Sequence, residues 1–192
     1  SLGYTKQDIL KMTVLSPSIY NYSIQAINEK IEHLISLGYT KEEVYKMSKL
    51  FPSIFNHGIS NIKQKITDLI ELGYSKKEVF NMTSSTPSIF SYSIDSMIEK
   101  INAIVSLGYT KKEVLQMTRE IPKIYNYSLE NINKKIEDLI SLGYTRNEVI
   151  KMTKNCPHIY SYSIESIKQK RDYLISLGYT KEDVHKLLDE NY

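Results

Sequence analysis

The sequence predicts an all-α protein built as a right-handed solenoid of 35-residue repeats. The tripeptide Leu-Gly-Tyr occurs six times, at Leu2, Leu37, Leu72, Leu107, Leu142 and Leu177, with 35 residues between successive copies. All five prolines occupy one repeat position, and five of the six methionines occupy another. A fixed period of this length without insertions is the signature of stacked helical units, each of which cannot bury its apolar face alone.

The period also predicts the domain organisation. We expect one repeat array over residues 1–192, and the first residues already match part of a repeat, so the sequence is expected to be a fragment of a longer chain. The partial repeat at the end supplies one helix, which we expect to cap the array. The units are 1–35, 36–70, 71–105, 106–140, 141–175 and 176–192.

The first helix of each repeat is predicted to begin after a threonine or serine. An acid follows three residues later, as in Thr40 and Glu43. In this capping box the hydroxyl and the carboxylate each satisfy an unpaired backbone N–H. Val44 and Met47 then recur at inward helical spacing. The helix must end near the proline, because the residue before a proline avoids the helical region.

A tight turn and a second helix follow each proline. A serine such as Ser23 is placed to cap the second helix, and an apolar stripe follows it at helical spacing, for example Ile27, Ile31 and Leu34. Gly38 stands where a helix commonly ends in a left-handed residue. We interpret the recurring tyrosines of the Tyr4, Tyr20 and Tyr22 series as packing residues in preference to base-stacking residues.

The sequence resembles the repeat of the mitochondrial transcription termination factor (mTERF) family. The resemblance lies in Leu-Gly-Tyr-Thr-x-x-Glu-Val, Met-Thr-x-x-x-Pro-x-Ile-Tyr and Ser-Ile-Glu-x-Ile-x-x-Lys-Ile, and it covers every copy. It implies two α-helices and a short 3₁₀ turn after the proline, a curved superhelix, a basic groove that binds nucleic acid, and a role in transcription regulation. A weaker similarity to transcription activator-like effector repeats would place base-reading residues just before each proline.

No two repeats share the same three residues before the proline, while most other positions barely change. In a regular stack they would lie along one edge, as a modular reader of bases requires. The alternatives are drift at an exposed helix end and filling of gaps between repeats by the larger side chains. The candidate base-reading residues are Leu15, Ser16, Lys49, Leu50, Phe51, Ser84, Ser85, Thr86, Arg119, Glu120, Ile121, Lys154, Asn155 and Cys156.

Basic residues recur in rows that are candidates for contact with a nucleic-acid backbone. A cation at the first helical position opposes the helix dipole, so its presence in every repeat indicates a purpose such as phosphate contact; a solvated side chain loosely paired with acids is the alternative. This N1 row comprises Lys6, Lys41, Lys76, Lys111, Arg146 and Lys181. The second-helix row, for which a solvated face is an equal alternative, comprises Lys30, Lys65, Lys100, Lys135 and Lys170.

A third set of lysines is better explained by pairing within the helix. Glu42 precedes Lys46 by four residues, which is the spacing of a stabilising ion pair. Where a lysine stands at the earlier position, as at Lys77, the later residue is neutral, as at Asn81. The remaining members at the later position are Lys11, Lys151 and Lys186.

No catalytic constellation is found in the sequence. The four histidines occupy four different repeat positions, Cys156 has no context of an activated nucleophile, and there is no glycine-rich phosphate loop. We therefore expect no enzymatic activity, no metal, no cofactor and no small-molecule substrate. One cysteine allows no disulfide within the chain, which fits a reducing compartment.

Together these observations favour a nucleic-acid-binding scaffold. The net charge of +3 is a weak indication of a polyanionic partner, and the resemblance implies DNA ahead of RNA. A protein-interaction scaffold and a consensus-like array without a selected ligand are the alternatives. We expect a monomer that does not enter a membrane. We also expect an intracellular protein, with the bacterial cytoplasm as a candidate and mitochondria implied by the resemblance alone.

Overall fold

A computed structural model describes residues 3–180 and 183–184. Within them the chain forms ten α-helices and five 3₁₀ turns, and no strand. The helices are α1 (Lys6–Leu15), α2 (Ile24–Leu37), α3 (Lys41–Leu50), α4 (Ile59–Leu72), α5 (Lys76–Ser85), α6 (Ile94–Ser106), α7 (Lys111–Glu120), α8 (Leu129–Ser141), α9 (Arg146–Asn155) and α10 (Ile164–Ser176). The 3₁₀ turns are Pro17–Asn21, Pro52–Asn56, Pro87–Ser91, Pro122–Asn126 and Pro157–Ser161.

Each complete repeat thus consists of a short helix, a 3₁₀ turn and a longer helix, which confirms the predicted unit. The capping boxes form as expected: Thr40 accepts from the backbone N–H of Glu43, whose carboxylate accepts from the N–H of Thr40. Each proline is the first residue of its 3₁₀ turn, where no backbone N–H is needed. Gly38, with φ of 121°, ends α2, in a region that favours glycine.

The chain divides into two compact units, Ser1–Met97 and Ile98–Tyr192. In the first unit α1, α3 and α5 pack side by side, and α2 packs against α4. In the second unit α7 packs against α9, and α8 against α10. Successive repeats within a unit therefore stack like helix on like helix. The right-handed winding of one continuous array stays a prediction, and the expected cap formed by the partial repeat lies almost wholly outside the described residues.

The core of each repeat is the apolar stripe that the periodicity predicts. In the second repeat Val44, Met47 and Leu69 are fully buried, and Ile62 and Ile66 are nearly so. Equivalent side chains in the other repeats extend this layer along each unit. None of the described helices combines the length and the apolar character needed to cross a membrane.

The tyrosines pack between repeats, as predicted for the Tyr4 and Tyr20 series. Tyr39 is buried and its hydroxyl lies 2.6 Å from Oγ1 of Thr83 in the next repeat. Tyr109 and Thr153 form the same pair in the second unit, at 2.5 Å. The Tyr20 position is buried in later repeats, for example as Phe55. Stacking on bases is thereby removed as a role for these buried rings.

Candidate nucleic-acid interface

The N1 row lies at the amino ends of the short helices, one cation per repeat. Each of its described members is the first residue of α1, α3, α5, α7 or α9, and each is exposed. Lys181 lies outside the described residues. The capping residue immediately before the cation holds its backbone in place, so the charge recurs at an equivalent point of every repeat.

Two members of this row also contact the protein. In the second unit the Arg146 guanidinium donates to the carbonyl of Leu107 and pairs with Glu137, both at 3.3 Å. Leu107 directly follows α6, and the carboxyl end of a helix carries partial negative charge that favours a cation. In the first unit Lys76 Nζ lies 5.7 Å from the ring centre of Phe80. For Arg146, the carboxyl end of α6 thus offsets the unfavourable interaction of the cation with its own helix dipole.

The second-helix row is tied to the protein more firmly than the sequence indicates. Lys30 donates to the carbonyl of His57 and Lys65 to that of Tyr92, both just after the 3₁₀ turn of the next repeat. Lys100 and Lys135 make the same bond in the second unit. All four are half-buried, and burial lowers the pKa of each ammonium. These lysines fasten successive repeats together.

Lys170 differs from the other members of the second-helix row. Its Nζ lies 5.2 Å from the ring centre of Tyr162. It is exposed.

The residues immediately before the prolines point into the fold. Ser16, Thr86, Ile121 and Cys156 are 4–7% exposed, and Phe51 is half-buried beside the ring of His57. Each follows the last residue of its helix with a non-helical backbone, as at Thr86 with φ of −137° and ψ of 71°. Burial raises the pKa of the Cys156 thiol, which disfavours the reactive thiolate.

Two of the third residues before the prolines, Lys49 and Lys154, are ion-paired with the preceding repeat. Lys49 pairs with Asp8 at 2.6 Å, and Tyr45 donates to the same carboxylate at 2.9 Å. Lys154 pairs with Glu113 at 2.9 Å in the second unit. Each acid is the capping-box acid of the previous repeat, and the hydrogen bonds from lysine and from the cap hold its pKa well below the usual range. The sequence offered no signal for these partners.

The three other members of this third position differ in exposure, and Val14 is 74% exposed. Ser84 is half-buried, and its hydroxyl donates to the carbonyl of Asn81 within α5. Arg119 is exposed at the end of α7. The third position therefore differs between repeats in side-chain type, in exposure and in contacts.

The second residues before the prolines are exposed in all five repeats. Leu15 and Leu50 are 62% and 61% exposed, although both are apolar. Ser85, Glu120 and Asn155 are exposed at the same point of α5, α7 and α9. Of the three variable positions, this one alone is exposed in all five repeats, and it carries apolar, polar and charged side chains.

The N1 cation and this exposed variable residue do not lie on one face of their helix. They are nine residues apart, as Lys41 and Leu50 are, which corresponds to about half a turn around the axis and about 13 Å along it. The exposed face between them carries Lys46, one turn before Leu50. Lys46 pairs with Glu42 at 2.7 Å, as predicted, but both side chains are largely exposed, so the pair is weak.

Comparison with known proteins gave one finding. The family model named mTERF matches residues 1–107 and 60–188, two overlapping segments that together cover nearly the whole chain. The search of individual curated proteins gave no match.

Proposed function

The chain belongs to the mTERF family, whose members are nucleic-acid-binding helical-repeat proteins, and we propose that this protein binds DNA as a repeat scaffold without catalytic activity. The observation that carries the proposal is the exposed cation at the amino end of every described short helix. Phosphates recur along a nucleic acid, so a cation that recurs once per repeat is suited to contact them.

The two basic rows are assigned different parts in binding. In the N1 row, Lys6, Lys41 and Lys111 are exposed, so their ammonium groups can reach phosphate oxygens. The ammonium groups of the second-helix row each use one N–H on a carbonyl of the next repeat, as Lys65 does. They contribute positive charge at longer range, where salt screens it more strongly.

The test is a salt titration of binding to labelled duplex DNA, single-stranded DNA and RNA. Engagement of all six cations of the N1 row predicts a slope of log K against log [salt] near about −5 for duplex DNA. Changing Lys41, Lys76 and Lys111 together to Gln should reduce the magnitude of the slope by about 3. The matched control changes three exposed second-helix lysines, Lys63, Lys134 and Lys168, to Gln.

The results separate the parts of the proposal. Absence of binding to all three nucleic acids at low salt, about 50 mM, would end it. A tighter complex with RNA would keep the scaffold and replace DNA as its partner. An unchanged slope in the triple variant, with binding retained, would remove the N1 row from the interface.

A protein partner is the second candidate function, and one surface favours it. In the first repeat Ile9, Tyr20 and Ile24 line one groove and are 49%, 75% and 80% exposed. The later equivalent of Tyr20, Phe55, is buried. An exposed apolar surface of this kind suits packing against another protein. If every nucleic acid fails to bind, this surface becomes the leading candidate for an interface.

A further inference from the structure

We propose that the second residue before each proline is the base-contacting position, so that Leu15, Leu50, Ser85, Glu120 and Asn155 set the sequence preference. This inference rests on the proposed binding of DNA. It assigns one position to each repeat where the sequence alone offered two or three.

The contacts of the neighbouring positions lead to this choice. The residue immediately before the proline is buried in four repeats, as Ile121 and Cys156 are, so a base edge does not reach it. The third residue before the proline is not exposed in every repeat, since Ser84 is half-buried. Lys49 and Lys154 are ion-paired there with acids of the preceding repeat. A lysine that is already ion-paired within the fold is poorly placed to select a base.

The remaining position has the properties that selection needs. Its side chains lie on the last turn of a rigid, doubly capped helix, and they are exposed in every repeat. Exposed leucines in two successive repeats, Leu15 and Leu50, gain nothing for the fold from being apolar. They gain if they contact an apolar group on a ligand, and the thymine methyl group is the apolar group of the major groove.

The other three side chains suit different bases. Glu120 accepts hydrogen bonds and matches the amino group of cytosine, whereas Asn155 can donate to and accept from adenine. The Ser85 hydroxyl donates to the carbonyl of Met82 at 3.1 Å, so it is left to accept a hydrogen bond. The array therefore predicts a preference for thymine opposite the first two repeats, little preference opposite the third, then cytosine and adenine.

Cations on the same helical face would hold the backbone nearby. Lys11, Lys46 and Lys151 each precede a base-contacting residue by four positions and are exposed. They also lie between that residue and the N1 cation around the helix. A duplex that touches both the N1 row and the variable residue has to cover these lysines.

The experiment exchanges two of the side chains and reads the preferred sequence. Wild-type protein, Glu120→Asn and Asn155→Glu are each used to select from a randomised duplex library. Glu120→Asn should convert the cytosine preference at one site position to adenine, and Asn155→Glu should do the reverse at another, each by about tenfold in relative affinity. The control is Glu130→Asn on the exposed surface of α8, which should leave the selected sequence unchanged.

A second measurement uses the lysines of that face. Changing Lys11, Lys46 and Lys151 to Gln should reduce the magnitude of the salt slope by about 3 if the duplex covers this face. Binding with an unchanged slope, or selection profiles that ignore both exchanges, overturns this inference while DNA binding stands. A wild-type protein that binds no nucleic acid overturns the proposed function as well, so the two failures are distinct.

Discussion

Buried hydroxyl groups between repeats donate in a fixed direction. Thr153 has one hydroxyl proton, and it donates to the carbonyl of Val149 at 2.7 Å. Tyr109 must therefore donate to Thr153, and Tyr160, 2.8 Å away, must donate to Tyr109. Burial raises the pKa of both tyrosines. Each hydroxyl proton in this series of hydrogen bonds therefore has an acceptor. The bonds satisfy polar atoms that would be costly to bury without a partner.

Tyr109→Phe removes the central hydroxyl and leaves the Tyr160 hydroxyl without its acceptor. The free energy of unfolding should fall by about 1–2 kcal/mol, measured by urea denaturation. Tyr20→Phe, at a ring that is 75% exposed, is the control and should change it by less than about 0.5 kcal/mol. An equal loss of unfolding free energy in the two variants would show that the buried hydroxyl bonds do not stabilise the fold.

The Glu113 carboxylate makes stability depend on pH. The cap N–H of Thr110 and then Lys154 lower its pKa to about 2, whereas an unfolded glutamate titrates near about 4.3. A lowered pKa stabilises the folded state above the unfolded value, and this stabilisation is lost as the pH falls through the folded value. The advantage of wild type over Glu113→Gln should be full at pH ~6 and should shrink between about pH 4.3 and pH 2.

Urea midpoints of both proteins across this range give the measurement. Glu130→Gln, which removes a charge from the exposed surface of α8, corrects for the altered net charge. A difference between wild type and Glu113→Gln that stays constant down to pH ~2 would contradict the assigned ion pair and cap.

Successive second helices are joined by lysines as well as by apolar packing. Lys65 on α4 reaches the carbonyl of Tyr92, which ends the next 3₁₀ turn. The last carbonyls of such a turn lack partners within the turn, so the lysine supplies one from the neighbouring element. The same element pair in the second unit uses Lys135 and the carbonyl of Tyr162.

Lys65→Met keeps the aliphatic stem and removes the donor. We expect a loss of about 1 kcal/mol in the free energy of unfolding, because the carbonyl of Tyr92 loses its charged partner. Lys63→Met, at an exposed position of the same helix, should cost little. Thermal and urea unfolding of the two variants provides the measurement. If Lys65→Met is as stable as Lys63→Met, Lys65 does not join the repeats.

The capped helices and the proline turns could be predicted from sequence because their signals are local. Thr40, Glu43 and Gly38 act within a few residues of their own position. The partner of Lys49 could not be predicted, because Asp8 comes near only through the offset between stacked repeats. The repeat pattern also does not distinguish the buried Cys156 from its exposed neighbour Asn155. The candidate site was therefore located to a short segment but not to a residue.

Across the whole molecule one kind of repeat interface recurs in both units. The tyrosine hydroxyl bonds join residues 44 apart, in Tyr39 with Thr83 and in Tyr109 with Thr153. The lysine bonds join residues 27 apart in each unit. An array of this kind gains stability as a sum of repeat and nearest-neighbour contributions.

Inserting a second copy of residues 106–140 directly after residue 140 tests this additivity. Every offset is preserved, so the longer protein should fold and gain one more interface. The dependence of unfolding free energy on urea concentration should steepen in proportion to the added surface, and the midpoint should not fall. A lower midpoint would show that the repeats are not interchangeable.

The exposure of the residue two places before each proline separates surface chemistry from stability. Leu15, Ser85 and Glu120 differ in size, polarity and charge, yet they occupy equivalent points at the end of equally built helices. A mutation at this point changes the outer surface and leaves the packed layer intact. Evolution, or an engineer, can therefore diversify what the array recognises one repeat at a time without redesigning its interior.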